Sequence, residues 1–203
     1  MDASWFEAVR YYGTLVLWLS LPAAVVFWVI IHPLADFWRR LGPTVTYLVV
    51  LMVLLPVGYV CWLWRGVALE ARYPARLSFV VAGLALYALA VVIEVKCRKH
   101  LKLRTLVGVP ELSAEAPGKL LTEGIYGQTR NPRYLDLMIA MFGFALIFNY
   151  RAMHWMAVLC VPAFYLVTRL EERELRQRFG APYEAYLSQV PRFVPRSWSF
   201  LRS

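Results

Sequence analysis

The chain has 203 residues, of which 60% are hydrophobic and only 17% are charged. Soluble domains are about 45–50% apolar and about 25% charged, so the composition excludes an ordinary soluble domain and indicates a membrane protein. The net charge of +9 comes from basic residues that lie between apolar runs. This distribution argues against a nucleic-acid partner and for contacts with membrane lipids.

Three apolar runs predict membrane-spanning helices over residues 11–31, 45–64 and 77–95, because about 20 apolar residues cross the hydrocarbon core. Pro22 is expected to kink the first of these helices. Polar links are expected between the runs, over residues 32–43 and 65–76.

Two further apolar runs, residues 135–148 and 153–170, predict a helical hairpin whose first arm is short. The second arm continues as a helix beyond the membrane as far as Gly180, and Pro182 begins a short final helix. The predicted fold class is therefore an all-α polytopic membrane protein with about five transmembrane helices and a cytoplasmic C-terminal helical tail.

A single membrane domain is expected over residues 1–203, with three spans in residues 1–95 and a loop, hairpin and tail in residues 96–203. Lysine and arginine number five on one side of the five predicted spans and seventeen on the other. The positive-inside rule therefore predicts that the N-terminus lies outside and the C-terminus in the cytoplasm. Arginine far outnumbers lysine, a bias typical of GC-rich bacterial genomes, so a bacterial inner membrane is the expected location.

The most unusual polar stretch is GIYGQTRNPRY, residues 124–134, which lies between apolar runs. Irregular backbone at the membrane edge is tolerated only where protein buries it or where it lines a cavity. Pro132 favours an extended Asn131 and suits the first turn of a helix, whose free N–H groups bind carboxylates. Gly124 and Gly127 permit a close approach of the backbone to a ligand.

Three side chains of this stretch fit a nucleotide-derived cofactor. Arg130 can pair bidentately with a carboxylate, and Tyr126 and Tyr134 can stack on a flat ring. The alternative is an ordinary interfacial loop, with arginines that follow the positive-inside rule and tyrosines that belong to the aromatic belt. The residues alone leave both interpretations open.

Adjacent carboxylates, Glu171 and Glu172, follow the last apolar run. Neighbouring helical residues point about 100° apart, so the two side chains cannot face the same pocket. Glu172 has Arg176 four residues on, and Glu174 has Arg178, which predicts solvated ion pairs for both glutamates. Glu171 has no such partner and lies on an inward stripe near membrane depth, so it is the predicted functional carboxylate.

Two other acidic residues lie near the ends of apolar runs. Glu94 is expected to pair with Arg98 four residues on. Asp136 lies one turn into the hairpin, where it either caps the helix or faces a cavity. The three histidines and three cysteines show no metal-ligand spacing, so no metal site is predicted.

The polar segments together resemble one family. LLTEGIYGQTRNPRY (120–134), EERELRQRFGAPYEAY (171–186) and VPRFVPR (190–196) are similar, in order and spacing, to the motifs of the isoprenylcysteine carboxyl methyltransferase and phospholipid methyltransferase superfamily. The resemblance covers roughly the C-terminal 85 residues, and the first three predicted spans carry no motif.

The resemblance implies an integral-membrane methyltransferase that uses S-adenosylmethionine and methylates a lipophilic or small acceptor through a carboxylate, thiol or amine. It also implies the site. Catalytic roles fall to Glu171 and Arg130, and the cofactor would be lined by Gly124, Tyr126, Arg130, Asn131, Pro132, Tyr134, Glu171, Glu172, Tyr183 and Tyr186.

Two residues depart from the family pattern. Asn131 stands where many members have histidine, and an asparagine cannot shuttle protons at neutral pH. Asp136 stands where a glycine is usual. These departures keep open a non-catalytic membrane binding or scaffold protein. A second alternative is an NADPH-dependent membrane reductase of the sterol-reductase type, which shares part of the arginine, proline and tyrosine motif.

Overall fold

A computed structural model of the chain describes residues 3–99 and 120–198. The described residues form helices and no strand, which confirms the all-α prediction. The helices are α1 (Ala3–Ile31), α2 (Ala35–Leu63), α3 (Arg65–Glu70), α4 (Leu77–Arg98), α5 (Pro132–Phe148), α6 (Arg151–Phe179) and α7 (Ala181–Gln189). Residues 100–119, most of the predicted long loop, lie outside the described residues.

Four of the described helical stretches are long and apolar enough to cross a membrane: Ser4–Leu34, Arg40–Leu63, Leu77–Arg98 and Arg151–Phe179. Helix α5 has 17 residues and forms the short arm of the hairpin. The protein is therefore an all-α polytopic membrane protein, and large apolar side chains on the outer helix faces remain exposed for lipid.

The predicted polar links contain more helix than expected. A 3₁₀ turn over His32–Leu34 leads directly into α2, in which Gly42, at φ 76° and ψ 165°, interrupts the helical geometry. Glycine tolerates this positive φ, and the following proline has no N–H to lose, so the chain can turn and resume the helix. The second link contains the short helix α3.

At the hairpin end of the bundle, a buried arginine of α1 holds the turn between α5 and α6. Arg10 is 1% exposed, and its side chain donates through Nε to the Phe148 carbonyl at 2.7 Å and through Nη2 to the Tyr73 carbonyl at 2.6 Å. Asn149 makes the turn in the left-handed region, at φ 53°. This arrangement fixes where α6, which carries the paired glutamates, begins.

Helices α4 and α5 cross at two glycines. A Cβ atom added to Gly83 would lie 2.6 Å from the carbonyl oxygen of Gly143, and one added to Gly143 would lie 2.8 Å from the carbonyl oxygen of Gly83. Small residues let membrane helices approach until their backbones touch. This close crossing places the first turns of α5 beside the last turns of α4, at the opposite end of the bundle from the hairpin turn; we call this the loop end.

Candidate functional site

The C-terminal segment pairs with the motif stretch through its backbone. The Arg130 N–H donates to the Pro191 carbonyl at 2.9 Å, and the Asn131 N–H donates to the Arg192 carbonyl at 3.2 Å. The Thr129 hydroxyl donates to the same Arg192 carbonyl at 3.1 Å. Residues 60 or so apart in sequence are thus held side by side at the loop end.

The start of α5 agrees with the proline signal in the sequence. Pro132 occupies the first helical turn, and the Asn131 carbonyl accepts the N–H groups of Tyr134 and Leu135 at 3.2 and 3.1 Å. A 3₁₀ turn, Gly124–Gly127, precedes it, and Gly124 has a φ of 61° that side-chain-bearing residues seldom adopt. The motif stretch is therefore a compact turn followed by a helix N-terminus.

Glu172 is the central polar residue of the loop end. It is only 3% exposed, and its carboxylate accepts from Arg192 Nη2 at 2.7 Å, from Arg130 Nη2 at 3.1 Å and from Asn131 Nδ2 at 3.2 Å. The predicted solvated pair with Arg176 is wrong. The two arginines come from other segments of the chain, and their charges compensate the buried carboxylate, which an exposed i+4 partner could not do as well.

Arg130 is occupied by the same network. Besides Glu172, its Nη1 donates to the carbonyls of Leu187 and Val190 at 2.9 and 3.0 Å. These carbonyls lie at the end of α7, so Arg130 joins the motif stretch, α6 and the C-terminal helix. At least three hydrogen bonds to protein atoms therefore use the five N–H donors of the Arg130 guanidinium.

Glu171 differs from its neighbour. Its Oε2 atom is buried, and among the described residues it has no hydrogen-bond partner. The Arg133 guanidinium interacts electrostatically with the Glu171 carboxylate. A buried carboxylate oxygen with unfilled hydrogen-bonding capacity is costly unless a donor reaches it. This oxygen can therefore accept a hydrogen bond from a cationic ligand.

Glu174 does not lie on a solvated face, and that prediction is wrong. It is 6% exposed, and its Oε2 lies 2.9 Å from Nδ1 of His32, which follows the end of α1. The His32 ring stacks on Trp28, with ring centroids 5.3 Å apart. The packing of α1 against α6 buries this side of the helix, so a partner 142 residues away replaces Arg178.

Tyrosines surround the loop end. The hydroxyl of Tyr186 donates to the Tyr126 carbonyl at 2.6 Å, and the rings of Tyr183 and Tyr186 lie 5.9 Å apart. Burial raises the pKa of the Tyr183 and Tyr186 phenols, so both stay protonated at neutral pH. Tyr134 packs against Phe164, with centroids 5.6 Å apart.

Asp136 faces helix α4. It is 5% exposed, and its carboxyl group lies beside that of Glu94, which also forms the predicted ion pair with Arg98. The ligand atoms of Glu94, Cys97 and Asp136 lie within 4.8 Å of one another, a grouping that could hold a metal ion. The expectation of no metal site stays a prediction.

The structure thus brings most of the predicted site residues together around the motif stretch, α6 and α7. Sequence reasoning did not select Arg133 or Arg192 as site residues. Both lie inside the quoted motifs, RNPRY and VPRFVPR, so their place within those motifs was the available signal. Only the tertiary structure shows that Arg133 interacts with Glu171 and that Arg192 pairs with Glu172.

Membrane-spanning helices with a buried, charge-compensated polar network at one end define a polytopic membrane protein with a site at the membrane edge. The family model described as phospholipid methyltransferase matches residues 78–182, just over half of the chain. The chain belongs to the phospholipid methyltransferase family, as the motif resemblance predicted. A comparison with curated proteins finds no match.

Proposed function

We propose that the protein is a membrane methyltransferase that uses S-adenosylmethionine and methylates a lipophilic or small acceptor. Membership of a methyltransferase family supports the reaction class. The observation that carries the cofactor assignment is the buried Oε2 atom of Glu171, which has no hydrogen-bond partner among the described residues. This oxygen can accept a hydrogen bond from a ligand that carries an ammonium group.

The chemistry of the site fits the amino-acid part of this cofactor, which carries an ammonium and a carboxylate. Glu171 would accept from the ammonium, and Arg133, which already interacts with Glu171, would face the carboxylate. The N-terminal end of α5, which carries partial positive charge, adds a second anion-binding element beside Arg133. A carboxylate and a guanidinium side by side complement both charges of a zwitterion, which neither group could do alone.

Arg130, Asn131 and Glu172 would then act mainly as positioning residues. Their polar atoms are largely used in the contacts that join the motif stretch to α6 and to the C-terminal segment. Such a network holds side chains of the site in one geometry, which methyl transfer requires. Gly124 and Pro132 would shape the backbone around the cofactor, and the charged network would fail as a unit if Glu172 were lost.

The tyrosines would provide the apolar walls. Tyr126 and Tyr134 on one side, and Tyr183 and Tyr186 on the other, are all less than 10% exposed. Aromatic rings can stack on an adenine and lie against a sulfonium, which S-adenosylmethionine supplies together with its electrophilic methyl group. These rings also exclude water, and direct displacement at a methyl carbon needs positioning and desolvation more than a strong base.

The acceptor would reach the site from the membrane. The outer helix faces are apolar, and the loop end carries the polar network, so a lipophilic molecule could present a carboxylate, thiol or amine there. The basic-residue count supports a cytoplasmic loop end with the N-terminus outside, which agrees with a soluble cytoplasmic cofactor. The excess of arginine over lysine supports a bacterial inner membrane as the location.

Cofactor binding to the detergent-purified protein tests the proposal. Isothermal titration calorimetry with S-adenosylmethionine and, separately, with NADPH should show binding of the first alone. Glu171→Gln should weaken S-adenosylmethionine binding about tenfold or more, because a hydrogen bond to a charged group contributes about 1.5–3 kcal/mol.

Glu184→Gln is the matched control, since Glu184 is exposed and, among the described residues, pairs with Arg176 on the surface. It should bind the cofactor as the wild type does. Absence of S-adenosylmethionine binding by the wild type would overturn the proposal. Equal binding by wild type and Glu171→Gln would leave the reaction class standing and remove Glu171 from the site.

A further inference from the structure

A cavity of about 620 Å³ lies at the hairpin end, between α1, α3 and the first turns of α6. Its lining is mostly apolar and includes Trp18, Trp64, Trp155 and Met156. Trp64 and Trp155 are 60% and 62% exposed, so the cavity opens towards the surrounding bilayer. Pockets of about 300–1,000 Å³ are typical of ligand sites.

One cationic side chain, Arg151, lines this cavity. Within residues 3–99 and 120–198, the Arg151 guanidinium forms no hydrogen bond or ion pair, although its backbone N–H donates to the Ala71 carbonyl at 3.0 Å. Arg151 is also the first residue of α6, a helix of 29 residues, whose N-terminal end carries partial positive charge. The rim of the cavity is therefore electropositive, and its interior is apolar.

The cavity is separate from the cofactor site. Arg151 and Glu171 lie on the same helix, 20 residues apart, which corresponds to about 30 Å at 1.5 Å per residue. That distance is the thickness of a hydrocarbon core, so the two sites lie at opposite membrane faces. Variants at the cavity therefore leave the loop-end network unchanged.

We propose that this cavity binds an anionic phospholipid, with one acyl chain against the tryptophans and the phosphate at Arg151. The shape and the charge point to the same ligand: an apolar interior that opens to the bilayer suits a hydrocarbon chain, and a cation at the interface suits an anionic head group. Tryptophan indoles at this level pack favourably beside lipid head groups. A second copy of the chain could occupy this place only if it presented an acidic patch to Arg151.

Native mass spectrometry of the detergent-purified protein tests this inference. The protein is titrated with dioleoyl phosphatidylglycerol or with dioleoyl phosphatidylcholine, which have the same chains and differ in net charge. The first should give a one-lipid adduct at lower concentration than the second. Arg151→Ala should weaken phosphatidylglycerol binding about fivefold, the factor expected for one cation near an anionic lipid surface.

Arg65→Ala is the matched control. Arg65 stacks on Trp62 at 3.9 Å, near the same end of the bundle, and does not line the cavity. It should bind phosphatidylglycerol as the wild type does. Ala68→Phe, which places a ring inside the cavity, should weaken the binding of both lipids.

Three results would overturn the inference. They are equal binding of the two lipids by the wild type, equal loss in Arg151→Ala and Arg65→Ala, or a dimer that carries no lipid adduct. The first would mean an unselective apolar groove, and the last would mean a contact between two copies of the chain.

Discussion

The crossing of α4 and α5 gives the sharpest prediction about the fold. In Gly83→Ala the new methyl group would lie 2.6 Å from the Gly143 carbonyl oxygen and 2.7 Å from Cγ1 of Ile147. An ordinary carbon–oxygen contact is about 3.3–3.6 Å, so the two helices must separate by about 0.7–1 Å. Overpacking of this kind costs about 1–3 kcal/mol.

Thermal unfolding in detergent, followed by circular dichroism, measures this cost. For a chain of this length about 1 kcal/mol lowers the Tm by about 2–4 °C, so Gly83→Ala should lower it by about 2–12 °C. Gly58→Ala is the control, because a Cβ at Gly58 would meet nothing within 4 Å. An unchanged Tm in Gly83→Ala, or an equal change in both variants, would refute the close crossing of the two helices.

Three further variants probe the buried polar contacts, each through the Tm. Glu172→Gln leaves two half-buried arginines without a countercharge and should cost about 3–5 kcal/mol, with earlier tryptic cleavage of the C-terminal segment; a Tm like that of Glu184→Gln would contradict the network. Glu174→Ala removes the acceptor of His32 and should cost about 1–3 kcal/mol; no loss would mean that the pair is solvated. Arg10→Ala should cost about 1–3 kcal/mol and loosen the hairpin turn, which faster hydrogen exchange at residues 148–151 would report.

Much of the fold could be predicted from the sequence because lipid imposes simple requirements. A span needs about 20 apolar residues and must satisfy its backbone within a helix, so the apolar runs alone locate the long helices. Local signals also held. Pro132 begins α5, Gly180 ends α6, and Glu94 pairs with Arg98 four residues on.

Polar links were less predictable. A polar composition indicated links over residues 32–43 and 65–76, but much of each is helical in the structure. The first link holds a 3₁₀ turn and the start of α2, with a kink at Gly42, and the second holds α3 as far as Glu70. Charged residues are tolerated in helices wherever they reach water or a partner. The composition therefore indicated where each apolar span ends but not where the helix ends.

The glutamates of α6 show most clearly what only the tertiary structure decided. The angle of about 100° between successive helical residues indicated that Glu171 and Glu172 point in different directions. The i+4 spacing predicted Arg176 as the partner of Glu172 and Arg178 as the partner of Glu174. The structure instead buries Glu172 between two arginines of other segments and Glu174 beside His32.

Local ion pairs on an exposed helix contribute only a few tenths of a kcal/mol, whereas a buried carboxylate without a partner costs several. Burial therefore decides which partner an acidic residue takes, and burial depends on how distant helices pack. The sequence by itself determined the membrane class, the long helices and the family motifs. The packing of α1 and the C-terminal segment against α6 decided which glutamate is enclosed in a network and which has a buried oxygen with no hydrogen-bond partner among the described residues.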